Sequence, residues 1–270
     1  MAGKVLFMCL INFQFQRDAE YPFVLAANRD EFFTRPTRQA HFWKDEPGVL
    51  AGRDLEKLGT WLGITKSGRF AALTNFRDPA EKADGKKSRG ELVRSFLSGT
   101  ASPEWFMKEL QKERTSYPGF NLLAGTIDEL WCYNNRTDDL RKVSPGTHSL
   151  SNACLNSPWP KSEKGKASLD NCLQHDRENL SACLFSFLQD RQQAKDKDLP
   201  ATGVPLEKER VLSSIFIEDH ENDYGTRCST VLLIDRQQNV YFAERTYLHG
   251  QLAGEEVFQF AIEREKDTAE

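Results

Sequence analysis

Apolar positions alternate or run together in short stretches toward both ends of the chain, and they recur at helical spacing in the middle. Val5 to Phe15 is rich in β-branched and aromatic residues, and Phe23 to Ala27 follows after the polar Arg17-Asp18-Ala19-Glu20. This pattern predicts two strands joined by a turn. Trp61 to Thr65 and Phe70 to Thr74 flank Lys66-Ser67-Gly68-Arg69, whose glycine can take the positive φ of a hairpin. Ser88 with Glu91 three residues on reads as a capping box, opening a helix to about Leu97 that ends at Gly99. Ser102-Pro103-Glu104 opens a second, with Trp105, Phe106 and Leu110 on one side.

Phe120 to Gly125 and Leu130 to Tyr133 form another strand pair, and Leu169, Cys172, Leu173, Leu180, Cys183, Leu184 and Leu188 place one or two amphipathic helices within residues 163–195. Val231 to Ile234, Val240 to Ala243 and Val257 to Phe260 close the chain as strands. Hairpins outnumber strand-helix-strand crossovers. The expected fold is therefore α+β, two largely antiparallel sheets with helices packed outside them, a four-layer αββα sandwich. Gln192 to Glu209, rich in Lys, Asp and Pro, reads as an exposed loop, because strands needed to complete the sheets lie beyond it.

Composition narrows the function classes. Hydrophobic residues make up 39% of the chain, enough for a core, and 36 basic against 40 acidic residues are mixed without a basic block. Nucleic acid is not an expected partner. No apolar run reaches membrane-spanning length, so no transmembrane segment is expected. Six cysteines without a Cys-x-x-Cys pair, and histidines at 41, 148, 175, 220 and 249 without ligand spacing, point to no metal site and no disulfide framework. The five cysteines other than Cys9 read as core residues. The expected location is the cytoplasm.

The most specific feature is Ala26-Ala27-Asn28-Arg29-Asp30-Glu31-Phe32, which holds the word Asn-Arg-Asp-Glu at the end of an apolar strand. Met8-Cys9-Leu10-Ile11 precedes it. Arg35-Pro36, Gly59-Thr60-Trp61-Leu62-Gly63, Ala72 to Phe76, Arg89-Gly90-Glu91, Gly119 to Leu122, Leu150-Ser151-Asn152-Ala153 with Pro158-Trp159, and Tyr224-Gly225-Thr226-Arg227 follow in order. Together these resemble the NRDE family, also called the transport and Golgi organisation family, whose fold is similar to N-terminal-nucleophile hydrolases of the bile-salt hydrolase and penicillin V acylase branch. The resemblance implies one such domain over 9–270, with 1–8 a leader or a mis-assigned start.

In that branch a cysteine at the mature N-terminus uses its own α-amine as base to attack an amide. An amine titrating near 8 and a thiol near 8.5 can share a proton close to neutrality. The resemblance implies Cys9 as nucleophile, Asp30 as the residue holding the amine, Asn75 as the oxyanion-hole asparagine, Asn152 as the second pocket asparagine, and Arg227 as the polarising arginine. Asn28, Arg29, Glu31, Thr60 and Trp61 are the implied ligand-binding residues. Asn28-Arg29 differs from the branch's order of arginine before asparagine. Residues alone give plainer readings: Cys9 as a small buried hydrophobe, Arg29 with Asp30 as an ion-paired turn, the asparagines as turn formers. Two functions follow from the resemblance, a cysteine amidohydrolase acting on a small acyl-amide, or a non-catalytic protein that binds and carries haem or acyl-coenzyme A in lipid homeostasis. Neither requires a cofactor.

Overall fold

A computed structural model describes residues 8–81, 85–175 and 179–263. Two antiparallel sheets lie face to face. The first is built from β1 (Cys9–Phe15), β2 (Phe23–Phe32), β10 (Gly146–Leu150), β12 (Tyr224–Ile234), β13 (Asn239–Leu248) and β14 (Gln251–Ala261), in the order β10-β1-β2-β12-β13-β14, with the short β11 (Glu218–Asp219) pairing β12. The second is β3 (Thr37–Phe42), β4 (Val49–Asp54), β5 (Leu62–Thr65), β6 (Phe70–Asn75), β7 (Phe120–Gly125), β8 (Leu130–Asn134) and β9 (Asp139–Lys142), in sequence order.

The period of two along each strand decides what faces what. Ile11, Phe13, Leu25 and Ala27 meet Leu50, Leu62, Ile64 and Leu123 between the sheets. Their neighbours Leu10, Val24 and Ala26 face the other way and pack on α3 (Pro160–His175) and α4 (Leu180–Leu188) through Leu169, Leu184 and Phe185. On the far side, Ala71, Leu73 and Leu122 meet α1 (Gly90–Ser98) and α2 (Pro103–Lys112) through Val93, Phe96 and Met107. Helices, sheet, sheet and helices make the αββα sandwich that hairpin counting predicts.

Details depart from the sequence expectation. Ser88 does not cap α1 with its side chain; Arg89 holds the cap position, and only the Ser88 carbonyl accepts, from Glu91 N at 3.3 Å. Ser102 does cap α2, accepting from Trp105 N at 3.3 Å, but Trp105 is turned to solvent and Met107 takes the buried place beside Leu110. β3, β4, β9, β10 and the two-residue β11 have no expected counterpart: Thr-Arg-Gln-Ala-His-Phe, Asp-Leu-Arg-Lys and Gly-Thr-His-Ser-Leu lack a sustained apolar alternation, and the apolar run of β4 is only Val49-Leu50-Ala51. Cys172 and Cys183 are disulfide-bonded across α3 and α4, which corrects the reading of both as simple core thiols. The segment 192–209 is not wholly a surface loop: α5 (Leu206–Val211) lies at its end and buries Glu209. Residues 1–7, over which the first strand and the leader were expected to begin, lie outside the described residues, as do 264–270 at the end of the expected domain.

Candidate functional site

Where β1 and β2 run out beyond the inter-sheet core, the same alternation carries Cys9, Arg29 and Glu31 to the face on which Ile11 and Ala27 lie. There they line a cleft of about 390 Å3 between the sheets, together with Thr60, Trp61, Leu73 and Asn75 from the second sheet and its loops. Gly59 and Gly90 make this wall possible: a Cβ on Gly59 would stand 2.5 Å from the Gly90 carbonyl carbon, so the Thr60 loop sits directly on the start of α1. Ser88, Arg89 and Gly90 thereby open the N-terminal, partially positive end of α1 onto the cleft.

Asp30, one residue on from Arg29, turns its carboxylate to the helix side. A β-bulge in β12 makes the contact: the register pairs Thr226 with Asp30 but Cys228 with Arg29, so Arg227 is the inserted residue. Thr226 Oγ1 donates to Asp30 Oδ1 at 2.7 Å and accepts from Ile217 N at 2.9 Å, whereas Cys228 comes out on the cleft side. Arg227 crosses to the turn after β2, where Nη1 donates to the carbonyls of Phe32, Phe33 and Arg35 at 2.6, 3.0 and 3.2 Å. Its guanidinium braces that turn at the edge of the cleft.

The two asparagines differ in position. Asn75 lines the cleft, and its side chain makes no hydrogen bond among the described residues. Asn152 is fully buried and away from the cleft lining; its Nδ2 donates to Asn75 O at 2.9 Å and so fixes the end of β6. Ser151 Oγ shares its proton between Cys9 O at 3.1 Å and Asn152 Oδ1 at 3.0 Å. Asn28 also lies elsewhere, fully buried on the helix side, donating to Leu188 O and Ile215 O at 2.8 and 2.9 Å. Its place is structural, tying β2 to the end of α4.

Cys9 itself is buried, and its nitrogen is the amide of the Met8–Cys9 bond. Burial, and then the negative charge of Asp30, push the Cys9 thiol up to about 12, so it is protonated at neutral pH. Burial also pushes Asp30 up to about 7 against the opposing pull of Lys161 and the Thr226 hydrogen bond. Met8 is fully enclosed, and its N–H donates to Tyr224 Oη at 2.6 Å.

Beneath this point lies a set of residues that sequence reading passed over: Lys161, and the buried ion pair Arg77–Glu209, whose guanidinium stacks on Trp159 at 4.4 Å. Lys161 and Glu209 carry no signal of their own in the sequence, whereas Trp159 and Thr226 stand in the family motifs.

The charge of the cleft runs against that of the chain. Arg29, Arg35, Arg38, Arg53, Arg89, Arg227, Lys57, Lys86 and Lys87 line it, against Glu31, Asp54, Glu244 and Asp30, the last with its carboxylate turned to the helix side, although the whole protein is net −4. Several cations are committed: Arg29 to Glu31 at 3.3 Å, Arg35 to Asp54 at 2.6 Å, Lys87 to Glu113 at 2.9 Å. The side chains of Arg38 and Lys57 have no such partner among the described residues. Burial raises both Glu31 and Glu244 above the ordinary carboxylate value. No group of three or more His, Cys, Asp or Glu that could hold a metal occurs among the described residues.

Residues 8–249 match the family model Transport and Golgi organisation 2. The chain is 38% identical over 259 residues to the transport and Golgi organization protein 2 homolog of Bos taurus, covering 89% of this chain and 94% of that one. The Homo sapiens homolog is 33% identical over 264 residues, covering 91% and 95%. Among solved structures, a mutant conjugated bile acid hydrolase from Clostridium perfringens aligns over 97% of this chain and 100% of its own at 11% identity and a TM-score of 0.41. An ortholog of N-acylethanolamine-hydrolyzing acid amidase from Caenorhabditis elegans aligns over 83% and 92% at 9% identity and 0.44. At that distance the solved structures assign no residue role or reaction to this chain.

Proposed function

The chain belongs to the transport and Golgi organisation 2 family, and we propose that its cleft binds an anionic acyl or carboxylate compound, with acyl-coenzyme A and haem as the candidate ligands. The carrying observation is the excess of arginine and lysine around the cleft in a chain of negative net charge. Such a concentration of cations raises the local concentration of an anion and gives its phosphates or carboxylates charge-assisted partners. Trp61, Leu73 and Pro118 supply apolar wall beside them. A cavity of about 390 Å3 falls within the usual range for small-molecule sites. The test is equilibrium binding of palmitoyl-coenzyme A and of haem to the full chain. The expected result is saturable binding that weakens about tenfold or more in Arg38→Ala/Lys57→Ala, and more steeply as salt rises. Binding indifferent to both changes would refute the reading.

A second reading has its own observation. Asp30 Oδ2 is buried without a hydrogen-bond partner, and the Asp30 N–H donates to the Met8 carbonyl at 3.1 Å. An α-amine released on Cys9 by loss of Met8 would supply the missing partner and, titrating near 8, a base for the thiol. The cleft would then be that of a cysteine amidohydrolase acting on a small acyl-amide. N-terminal sequencing of the protein from its host, followed by assay of the form found on acyl-amides, decides it. A chain whose Met8–Cys9 bond is intact and that hydrolyses none would sink it.

A further inference from the structure

Lys161 is the second residue of α3, 3% exposed, and its Nζ has no hydrogen-bond partner among the described residues. A buried ammonium in that condition persists only where a counter-charge faces it. The ionisable groups that act on it most are Asp30 from β2, Arg77 from the segment after β6, Cys9 from β1 and Glu209 from α5; Arg77 lies against the start of α3, its guanidinium 4.4 Å over Trp159 and its Nη2 3.6 Å from Met8 Sδ. Arg77 and Glu209 neutralise each other in a direct ion pair. Asp30, for its part, faces Lys161, Arg29 and Glu31, and the last two are paired on the opposite face of β2. Once these two pairs cancel, Lys161 and Asp30 are left as each other's counter-charge.

Both groups carry an unused atom. Thr226 takes Asp30 Oδ1, and Oδ2 stays open; Lys161 donates to nothing. Neither Lys161 Nζ nor Asp30 Oδ2 bonds the other, and Asp30 is tied to the Met8–Cys9 peptide through its own N–H, which donates to the Met8 carbonyl at 3.1 Å. The enclosure of Met8 by Tyr224, Ile217 and Leu212 keeps bulk solvent away from the same spot.

We propose that Lys161 is a positioning residue for Cys9: its ammonium holds the Asp30 carboxylate charged, so that Oδ2 stands as the acceptor for the amine that Cys9 carries once Met8 is gone. The inference deepens the amidohydrolase reading and rests on it. Without the cation, the desolvated Asp30 takes up a proton and ceases to anchor an amine. The same cation also disfavours protonation of a nearby amine, keeping it a base near neutrality. Burial, opposed by Asp30, pulls Lys161 down to about 8, while burial pushes Asp30 up to about 7, so the pair titrates where such chemistry operates.

The test is an NMR titration of carboxyl-labelled aspartate in the full chain, with the Asp30 resonance assigned by Asp30→Asn. The Asp30 midpoint should rise by about one pH unit or more, a tenfold change in proton affinity, in Lys161→Met. It should stay near the wild-type value in Lys161→Arg, which keeps the charge. An unchanged midpoint in Lys161→Met overturns the proposal. If Lys161→Met fails to fold, the double variant Lys161→Met/Asp30→Asn removes both charges and should fold cooperatively; a double variant as unfolded as the single one also overturns it. The titration reads Lys161 and Asp30 whether or not Cys9 turns over a substrate. Absence of acyl-amide hydrolysis therefore counts against the hydrolase reading, and a failed titration counts against Lys161.

Discussion

Thr226 Oγ1 donates to Asp30 Oδ1 at 2.7 Å only because one residue, Arg227, is inserted in β12 immediately after it. In a regular strand, Thr226 and Cys228 would share a face. With the bulge, Thr226 serves the buried carboxylate on the helix side and Cys228 lines the cleft on the other. Thr226→Val leaves Asp30 Oδ1 and Ile217 N without their partner, at an expected cost of about 2 kcal/mol or more in unfolding free energy by denaturant titration. Thr226→Ser should recover most of it. A Val variant as stable as wild type would show that the hydroxyl does not matter.

Asp30 also gives the protein a pH signature. Its folded value of about 7 lies above the 3.8 of an unperturbed aspartate, so the folded state holds a proton that the unfolded state has released. Stability attributable to Asp30 is therefore full below about pH 4, falls as pH rises through 4 to 7, and is flat above. The total drop is up to about 4 kcal/mol. Asp30→Asn, which cannot ionise, should flatten that slope when stability is measured at several pH values. An unchanged slope would place the titration on another carboxyl, Glu31 or Glu244 being next, since burial raises both.

The Arg77–Glu209 pair joins the end of β6 to α5, with both side chains almost wholly buried. Removing one partner strands the other, so Arg77→Met should cost about 3–5 kcal/mol, and Arg77→Met/Glu209→Leu markedly less than the single change. A thermal or denaturant melt of the three proteins checks it. Equal losses in single and double variants would mean that the two charges do not act as a pair.

Cys9 in the chain with an intact Met8–Cys9 bond is a poor nucleophile. Its thiol, pushed up to about 12, should be alkylated by iodoacetamide at a rate that keeps climbing through pH 10. The measurement is a rate against pH in a background where Cys132, Cys154 and Cys228 are replaced by serine or alanine. A rate that levels off near pH 8 would mean that a neighbouring cation already holds the thiolate.

Strong periodicities carried most of the fold. The runs at Phe23–Ala27, Phe70–Thr74 and Val231–Ile234 are short and almost wholly apolar, and each has a hairpin partner, β1, β5 and β13 respectively, which makes the sheets antiparallel. Thr37–Phe42 was illegible because it sits at a sheet edge with Ala40 alone buried; its polar side chains meet solvent or the cleft. Trp105 misled because an apolar residue at a first helical turn is not obliged to face inward. At the site, the word Asn-Arg-Asp-Glu placed Arg29, Asp30 and Glu31 together, yet strand alternation sends Asn28 and Asp30 to one side and Arg29 and Glu31 to the other. Lys161 and Glu209 could not be seen from sequence. Each is an ordinary charged residue in a charged stretch, and only the packing of α3 and α5 against the end of β1 buries it.

The claim that matters most is that this cleft holds an anion without needing the Cys9 thiol. Its most direct measurement is isothermal titration of palmitoyl-coenzyme A into the wild-type chain, Cys9→Ala and Arg38→Ala/Lys57→Ala, at two salt concentrations. The account predicts equal affinity for wild type and Cys9→Ala, with about tenfold weaker binding when the two uncommitted cations are removed. Loss of binding in Cys9→Ala, with the cation variant unaffected, would contradict it.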